Sequence, residues 1–302
     1  MTYSIVARDP ETGELGVAVQ TRWFNVGATV PWAEPGVGAV ATQSFAEVSY
    51  GPKGLALMRA GHSAGEALAR LRAQDDGEPK RQVAMLDANG SVASFTGSGC
   101  VAEAGSAAGD GVSAQANMME RATVWGAMLE AYEGASGGDL ADRLVASLRA
   151  AEAQGGDMRG RQSAALLVVP AAGDGWARRF DLRVDDHPDP VGELSRLVMV
   201  ARAYQHAGGG MDLAAEMRFP EALEELDRAV SLAPDDDQIA FFRATVLPAV
   251  GRPLDARAEL DRIRQIEPRW GRYLWRGAAA GMGPNDPEYL SALAPLEPGE
   301  TP

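Results

Sequence analysis

Met1-Thr2-Tyr3-Ser4-Ile5-Val6-Ala7-Arg8 opens the chain, and Leu15-Gly16-Val17-Ala18-Val19-Gln20-Thr21 follows it across Asp9-Pro10-Glu11-Thr12-Gly13. Both flanking runs are apolar and β-branched with polar residues interspersed. A short Pro/Gly turn separates them, so the stretch predicts an antiparallel hairpin over residues 4–8 and 15–21. Its first residue carries chemistry of its own. Removal of Met1 makes Thr2 the chain terminus, and a free α-amine with a pKa near 8 then lies beside a hydroxyl whose proton it can take. A small polar residue after methionine is also an ordinary way to start a strand.

Working outward, Gly36-Val37-Gly38-Ala39-Val40-Ala41-Thr42-Gln43 reads as a further strand. Its letters match the dinucleotide fingerprint G-x-G-x-x-A, but Val37 and Val40 continue an extended segment where that motif needs a helix start. Helices are expected at about 52–60 and 63–74, the second opened by Ser63 with Glu66 at capping-box spacing. Strands over 82–87 and 91–96, joined at Asn89-Gly90, return next, and strand-like sequence runs on to Asn117. Helices at about 120–133 and 138–154 and strands over 163–169 and 177–184 complete the region. Helices and strands come in pairs and do not alternate singly. That order favours two antiparallel sheets covered by helices over a doubly wound parallel sheet.

Asp185-Asp186-His187-Pro188-Asp189-Pro190 is a polar, proline-broken linker, and no strand pattern follows it. The expected division is a domain over 1–187 and a helical one over 188–302. In the second, Glu221-Ala222-Leu223-Glu224-Glu225-Leu226-Asp227-Arg228 recurs as Asp255-Ala256-Arg257-Ala258-Glu259-Leu260-Asp261-Arg262. That offset of 34 residues, with closing prolines Pro234 and Pro268, resembles the tetratricopeptide repeat. Further helices are expected at 237–247, about 191–208 and about 284–293. Such repeats imply a docking surface for a protein partner.

Composition narrows the chemistry. The net charge of −14 repels nucleic-acid backbones and anionic membranes, and no basic patch offsets it. No apolar run is long enough for a membrane span or a signal peptide, so residence in the cytoplasm is expected. Cys100 is the one cysteine, Lys53 and Lys80 are the two lysines, and His62, His187 and His206 are the three histidines. None has the companion spacing of a catalytic triad or a metal site, so no cofactor and no metal is expected. The loop Gly155-Gly156-Asp157-Met158-Arg159-Gly160-Arg161-Gln162 lies at the lip of a buried strand, where Asp157, Arg161 and Gln162 are costly unless they pair structurally or serve a site. Gln43, Gln115 and Asn117 lie at or near the ends of other strands. Their amides can donate to an oxyanion or satisfy turns.

Residues 4–19, 37–43 and 155–169 together resemble a bacterial family of unknown function, the domain numbered ten twenty-eight, grouped with the N-terminal-nucleophile (Ntn) hydrolases. The resemblance implies an α+β fold, a four-layer αββα Ntn-hydrolase-like sandwich, followed here by the small all-α tetratricopeptide-like domain. It implies cleavage of a small amide or peptide-like substrate, with Thr2 as nucleophile. By the same analogy Asn117 or Gln43 holds the oxyanion, while Asp157 and Arg161 orient the terminus or bind a substrate carboxylate. Arg22, Gln115 and Gln162 join Gln43 as candidate substrate contacts. Proteasome-like members tune the threonine with a lysine; the early strands here have none, and Arg22 is the nearby cation, able to act only electrostatically. The alternative is a non-catalytic binding or assembly module whose repeats hold a partner. Some relatives carry a C-terminal segment proposed to bind peptidoglycan, which implies a cell-wall-fragment ligand. Assembly into a homo-oligomer is left open.

Overall fold

In the computed structural model, which describes residues 2–282 and 286–295, the opening stretch forms the predicted hairpin. Strand β1 (Thr2–Arg8) pairs antiparallel with β2 (Leu15–Thr21), from Tyr3 opposite Gln20 to Arg8 opposite Leu15. Asp9 closes the turn by accepting from the Glu11 and Thr12 amides at 2.8 and 3.1 Å, and Gly13 takes the left-handed conformation that lets the chain reverse. Both strands are buried along nearly their whole length, so they sit at the centre of a sheet.

The other strands are β3 (Pro31–Glu34), β4 (Gly38–Ser44), β5 (Arg81–Asp87), β6 (Val92–Thr96), β7 (Gly105–Gly109), β8 (Val112–Asn117), β9 (Ser163–Val169) and β10 (Phe180–Val184). They form a six-stranded sheet of order β10-β9-β2-β1-β8-β7 and a four-stranded sheet of order β3-β4-β5-β6, with every pairing antiparallel. Side chains alternate across a strand, so Val6, Val17, Val19, Leu167 and Val169 of one sheet meet Ala39, Ala41, Ala84 and Leu86 of the other. Helices α1 (Tyr50–Arg59) and α2 (Ala64–Arg72) cover the outer face of the four-stranded sheet, and α3 (Val124–Gly134) and α4 (Leu140–Ala153) that of the six-stranded one. The layers therefore run helix pair, sheet, sheet, helix pair.

Ser63 and Glu66 make the reciprocal capping box their spacing predicts. The segment with the fingerprint letters is extended as β4. Strand β3 was hidden by its Pro31 start and its four-residue length, and α3 begins at Val124, later than the predicted 120, because residues 118–123 first carry the chain out of β8.

The chain divides into two compact units, Met1–Val198 and Met199–Pro302, eleven residues beyond the boundary expected from the linker. The reason is local. Helix α5 (Pro190–Ala215) starts at the linker's last proline, and its first turns, with Val191, Leu194 and Val198 buried, fall in the first unit. The described part of the second unit is otherwise helical: α6 (Phe219–Leu232), α7 (Asp237–Val246), α8 (Pro253–Ile266), α9 (Arg269–Ala279) and α10 (Pro287–Leu293). Helices α6 and α8 are offset by 34 residues at both ends, and the repeated pairs Ala222/Ala256 and Leu226/Leu260 are all fully buried. Helix α9 was unforeseen. Of the helix expected at 284–293, residues 284 and 285 lie outside the described residues.

Candidate functional site

At one end of the sandwich, polar residues replace the aliphatic core between the sheets. Thr2 pairs in register with Asn117, and Thr21, one step past the Tyr3–Gln20 pair, lies on its other side opposite Ser163. The facing sheet presents a matching row, with Gln43 opposite Gln82 and Gln82 opposite Thr96. All of these except Thr96 are buried.

Gln82 joins the two rows. Its Oε1 accepts from Gln43 Nε2 at 2.7 Å and from Asn117 Nδ2 at 2.9 Å, while its Nε2 donates to Thr96 Oγ1 and the Ala116 carbonyl, both at 2.9 Å. The same two amides, Gln43 Nε2 and Asn117 Nδ2, also donate to the carbonyl oxygen of Thr2, at 3.2 and 3.3 Å. Thr2 Oγ1 donates to Thr21 Oγ1 at 3.1 Å. One layer deeper, Ser4 Oγ donates to Gln43 Oε1 at 2.7 Å and accepts from Gln115 Nε2 at 2.6 Å. Thr2 is thereby gripped at both oxygens by groups that are themselves held. A buried network satisfied to this degree is rigid, since each broken member would strand another polar group.

Thr2, Thr21, Gln43, Asn117 and Arg159 line a cavity of about 490 Å³. The backbone is strained at its edge: Ser44 and Met118, directly after Gln43 and Asn117, have φ of 69° and 59°, a region non-glycine residues enter at a cost of about 1–3 kcal/mol and chiefly where function over-determines the geometry. Arg159 is held by Asp157, whose carboxylate accepts from the Arg159 Nη2 at 3.1 Å, from its amide at 2.9 Å and from the Arg22 amide at 3.0 Å.

The structure separates the remaining candidates. Gln115 lies beneath the cavity in the buried network. Asp157 pairs with Arg159 and not with Arg161, which ion-pairs with Glu152 of α4 and reaches Asp189 at 3.7 Å. Glu152 in turn accepts from the hydroxyl of Tyr3, whose side chain points to the opposite face of β1 from Thr2. Burial first, and then the Glu152 carboxylate, push the Tyr3 phenol well above its ordinary pKa. Arg22 and Gln162 bind each other at the exposed surface, Nη1 to Oε1 at 2.7 Å. Gln82, Thr21 and Arg159 were not among the sequence candidates. Alternation along strands at the register of Gln43 and Thr2 was the signal that could have found the first two; nothing in the sequence distinguished Arg159 from its neighbour Arg161. No histidine and neither lysine lines the cavity, nor does Cys100. Among the described residues no group of His, Cys, Asp or Glu is placed to hold a metal ion, and no helix is long and apolar enough to cross a membrane.

A model for a family of unknown function, DUF1028, matches residues 2–194. The chain belongs to this family. The crystal structure of protein SPO2555 from Silicibacter pomeroyi, assigned to the same DUF1028 model, is 36% identical, with a TM-score of 0.60, and the match covers 66% of this chain and 88% of that one. No curated protein matches the chain. The family match takes in all of the cavity's lining, which runs from Thr2 to Arg159, and stops short of the helices from α6 onward.

Proposed function

We propose that the first unit is an Ntn-type amidohydrolase that cleaves a small amide or peptide-like substrate with Thr2. The observation that carries this reading is the position of Thr2, the first residue of a central strand, in the lining of a cavity and locked by amides from both sheets. With Met1 removed, the α-amine takes the hydroxyl proton as Oγ1 attacks the substrate carbonyl carbon; the C–N bond breaks, the leaving nitrogen receives the proton, and an acyl ester remains on Thr2. Water then attacks the ester, releasing the acid and restoring the hydroxyl. Thr21 orients Oγ1. Gln43 and Asn117, assigned to an oxyanion on analogy alone, donate to the carbonyl of Thr2, so in this reading they position the nucleophile. The layer order, helix pair to helix pair around two antiparallel sheets, supports placing the unit among Ntn-like sandwiches. The equal 34-residue offsets of α6 and α8 support the tetratricopeptide-like reading of the second unit, as a docking surface for a protein partner.

The test is intact-mass analysis of the purified full chain before and after exposure to an electrophile that acylates N-terminal threonines. Loss of Met1 followed by a single adduct, absent in Thr2→Ala, is the expected result. Full retention of Met1 would remove the base and overturn the proposal. One observation favours a second reading, a binding module without turnover: both oxygens of Thr2 already engage partners in the resting network. Uptake of ligands by the cavity with no adduct on Thr2 would select it.

A further inference from the structure

The polar floor around Thr2 is capped by a rim of different chemistry. Trp23, Phe45, Val48 and Val101 all line the cavity, yet the first two are 69% and 57% exposed. Aromatic rings left in water beside a cavity are a hydrophobic surface awaiting cover, worth about 25 cal/mol for each Å² removed from solvent.

These rings stand on anchored backbone. The Trp23 carbonyl accepts from Ser163 Oγ at 2.5 Å. The Phe45 amide donates to the Lys80 carbonyl at 3.3 Å, and its own carbonyl accepts from Arg81 Nη1 at 2.6 Å. Ser44, in its left-handed conformation, aims Phe45. An apolar rim held in this way costs a ligand little ordering entropy. Among the described lining residues Arg159 is the one charged side chain and no carboxylate faces the cavity, so the lining complements neutral or anionic ligands over cationic ones.

We infer that the substrate class is N-acyl amino acids with an apolar acyl group. The acyl chain lies against Trp23 and Phe45, the amide carbonyl meets Thr2, and the carboxylate faces Arg159. The placement of the amide rests on the reading of Thr2 as nucleophile; the ligand class rests on the rim and Arg159.

Binding to the full-length Thr2→Ala chain, followed by calorimetry, tests the class without requiring turnover. N-octanoylglycine is expected to bind, and N-acetylglycine about tenfold or more weakly, since its acyl group lacks the methylenes that the rim would bury. Adding Trp23→Ala and Phe45→Ala should weaken N-octanoylglycine and leave N-acetylglycine unchanged. Adding Arg159→Gln should weaken N-octanoylglycine by about tenfold while sparing the neutral N-methyloctanamide. The inference is overturned if N-octanoylglycine does not bind, if the two acylglycines bind equally, if the aromatic truncations change nothing, or if Arg159→Gln weakens the neutral amide as much. Hydrolysis is measured separately on the wild-type chain. Binding with the expected selectivity but no cleavage would sink the hydrolase reading alone, and equal cleavage of both acylglycines would sink the inference alone.

Discussion

Gln82 carries more of the site than any other single side chain. Its oxygen accepts from both amides that hold Thr2, and its nitrogen ties β6 and β8 to the same point. Replacing it by leucine conserves volume but strands a buried donor on Asn117, costing about 1–3 kcal/mol when unmet, while Gln43 Nε2 keeps the Thr2 and Gln115 carbonyls as acceptors. Gln82→Leu should therefore lower unfolding free energy by about 1–3 kcal/mol in urea titrations and abolish acylation of Thr2; an unchanged midpoint would show that the network relaxes around the loss. Tyr3 marks the other face of β1. Its phenol is held above the ordinary value of 10.0, by burial and then by Glu152, so the fold binds the neutral form more tightly than the unfolded chain does. That stability is fully present below pH 10 and is lost as pH rises toward the folded value. Tyr3→Phe should cost about 1 kcal/mol at pH 7 through the lost hydrogen bond and flatten part of the alkaline decline in thermal scans. Tyr50 and Tyr132, both pushed up to about 12, keep their share of it. At this scale Thr2 was legible from its place directly after Met1, and Gln43 and Asn117 from their places at or near the ends of strands. Arg159 was not, since two arginines two residues apart in one loop differ only in which face of the sheet the glycines turn them toward.

Elements were legible where periodicity and punctuation agree, as in the β1–β2 hairpin and the capped start of α2. They were illegible where punctuation misleads. The helix expected at about 191–208 ends where Gly208-Gly209-Gly210 begins, yet α5 continues through the three glycines to Ala215. Packing explains the override. A side chain on Gly210 would lie 2.8 Å from Leu226 Cγ and 3.0 Å from the Ala222 carbonyl, so the missing Cβ is what lets α6 approach; Gly208 and Gly209 face open space. The same substitution should then have opposite signs. Gly208→Ala and Gly209→Ala should each stabilise by about 0.5–1 kcal/mol through helix propensity. Gly210→Ala should destabilise by about 1–3 kcal/mol through overpacking, outweighing that gain. Equilibrium denaturation of the three variants decides it, and a stabilising Gly210→Ala would mean that α6 shifts freely.

At the scale of the whole molecule, the two units are built around different cores. The first is centred on aliphatic side chains between the sheets; the second is centred on Leu260, Ile263, Phe241 and Leu274, with Phe241 stacked on Trp270 at 4.8 Å between ring centroids. The lining of the Thr2 cavity is drawn from the first unit alone. Leu260 is fully buried, and truncating such a side chain typically costs about 2–5 kcal/mol through lost burial and the cavity left behind. A domain with its own core absorbs that loss locally, because protection from hydrogen exchange follows the cooperative unit to which an amide belongs. Leu260→Ala should accordingly speed amide exchange across α7 and α8 while β1, β2 and β9 exchange as in the wild type, and ligand uptake by the Thr2 cavity should be unchanged. Faster exchange at β1 would instead show that the sandwich depends on the helical unit for its stability, and the helices would then have to be counted among the supports of the site.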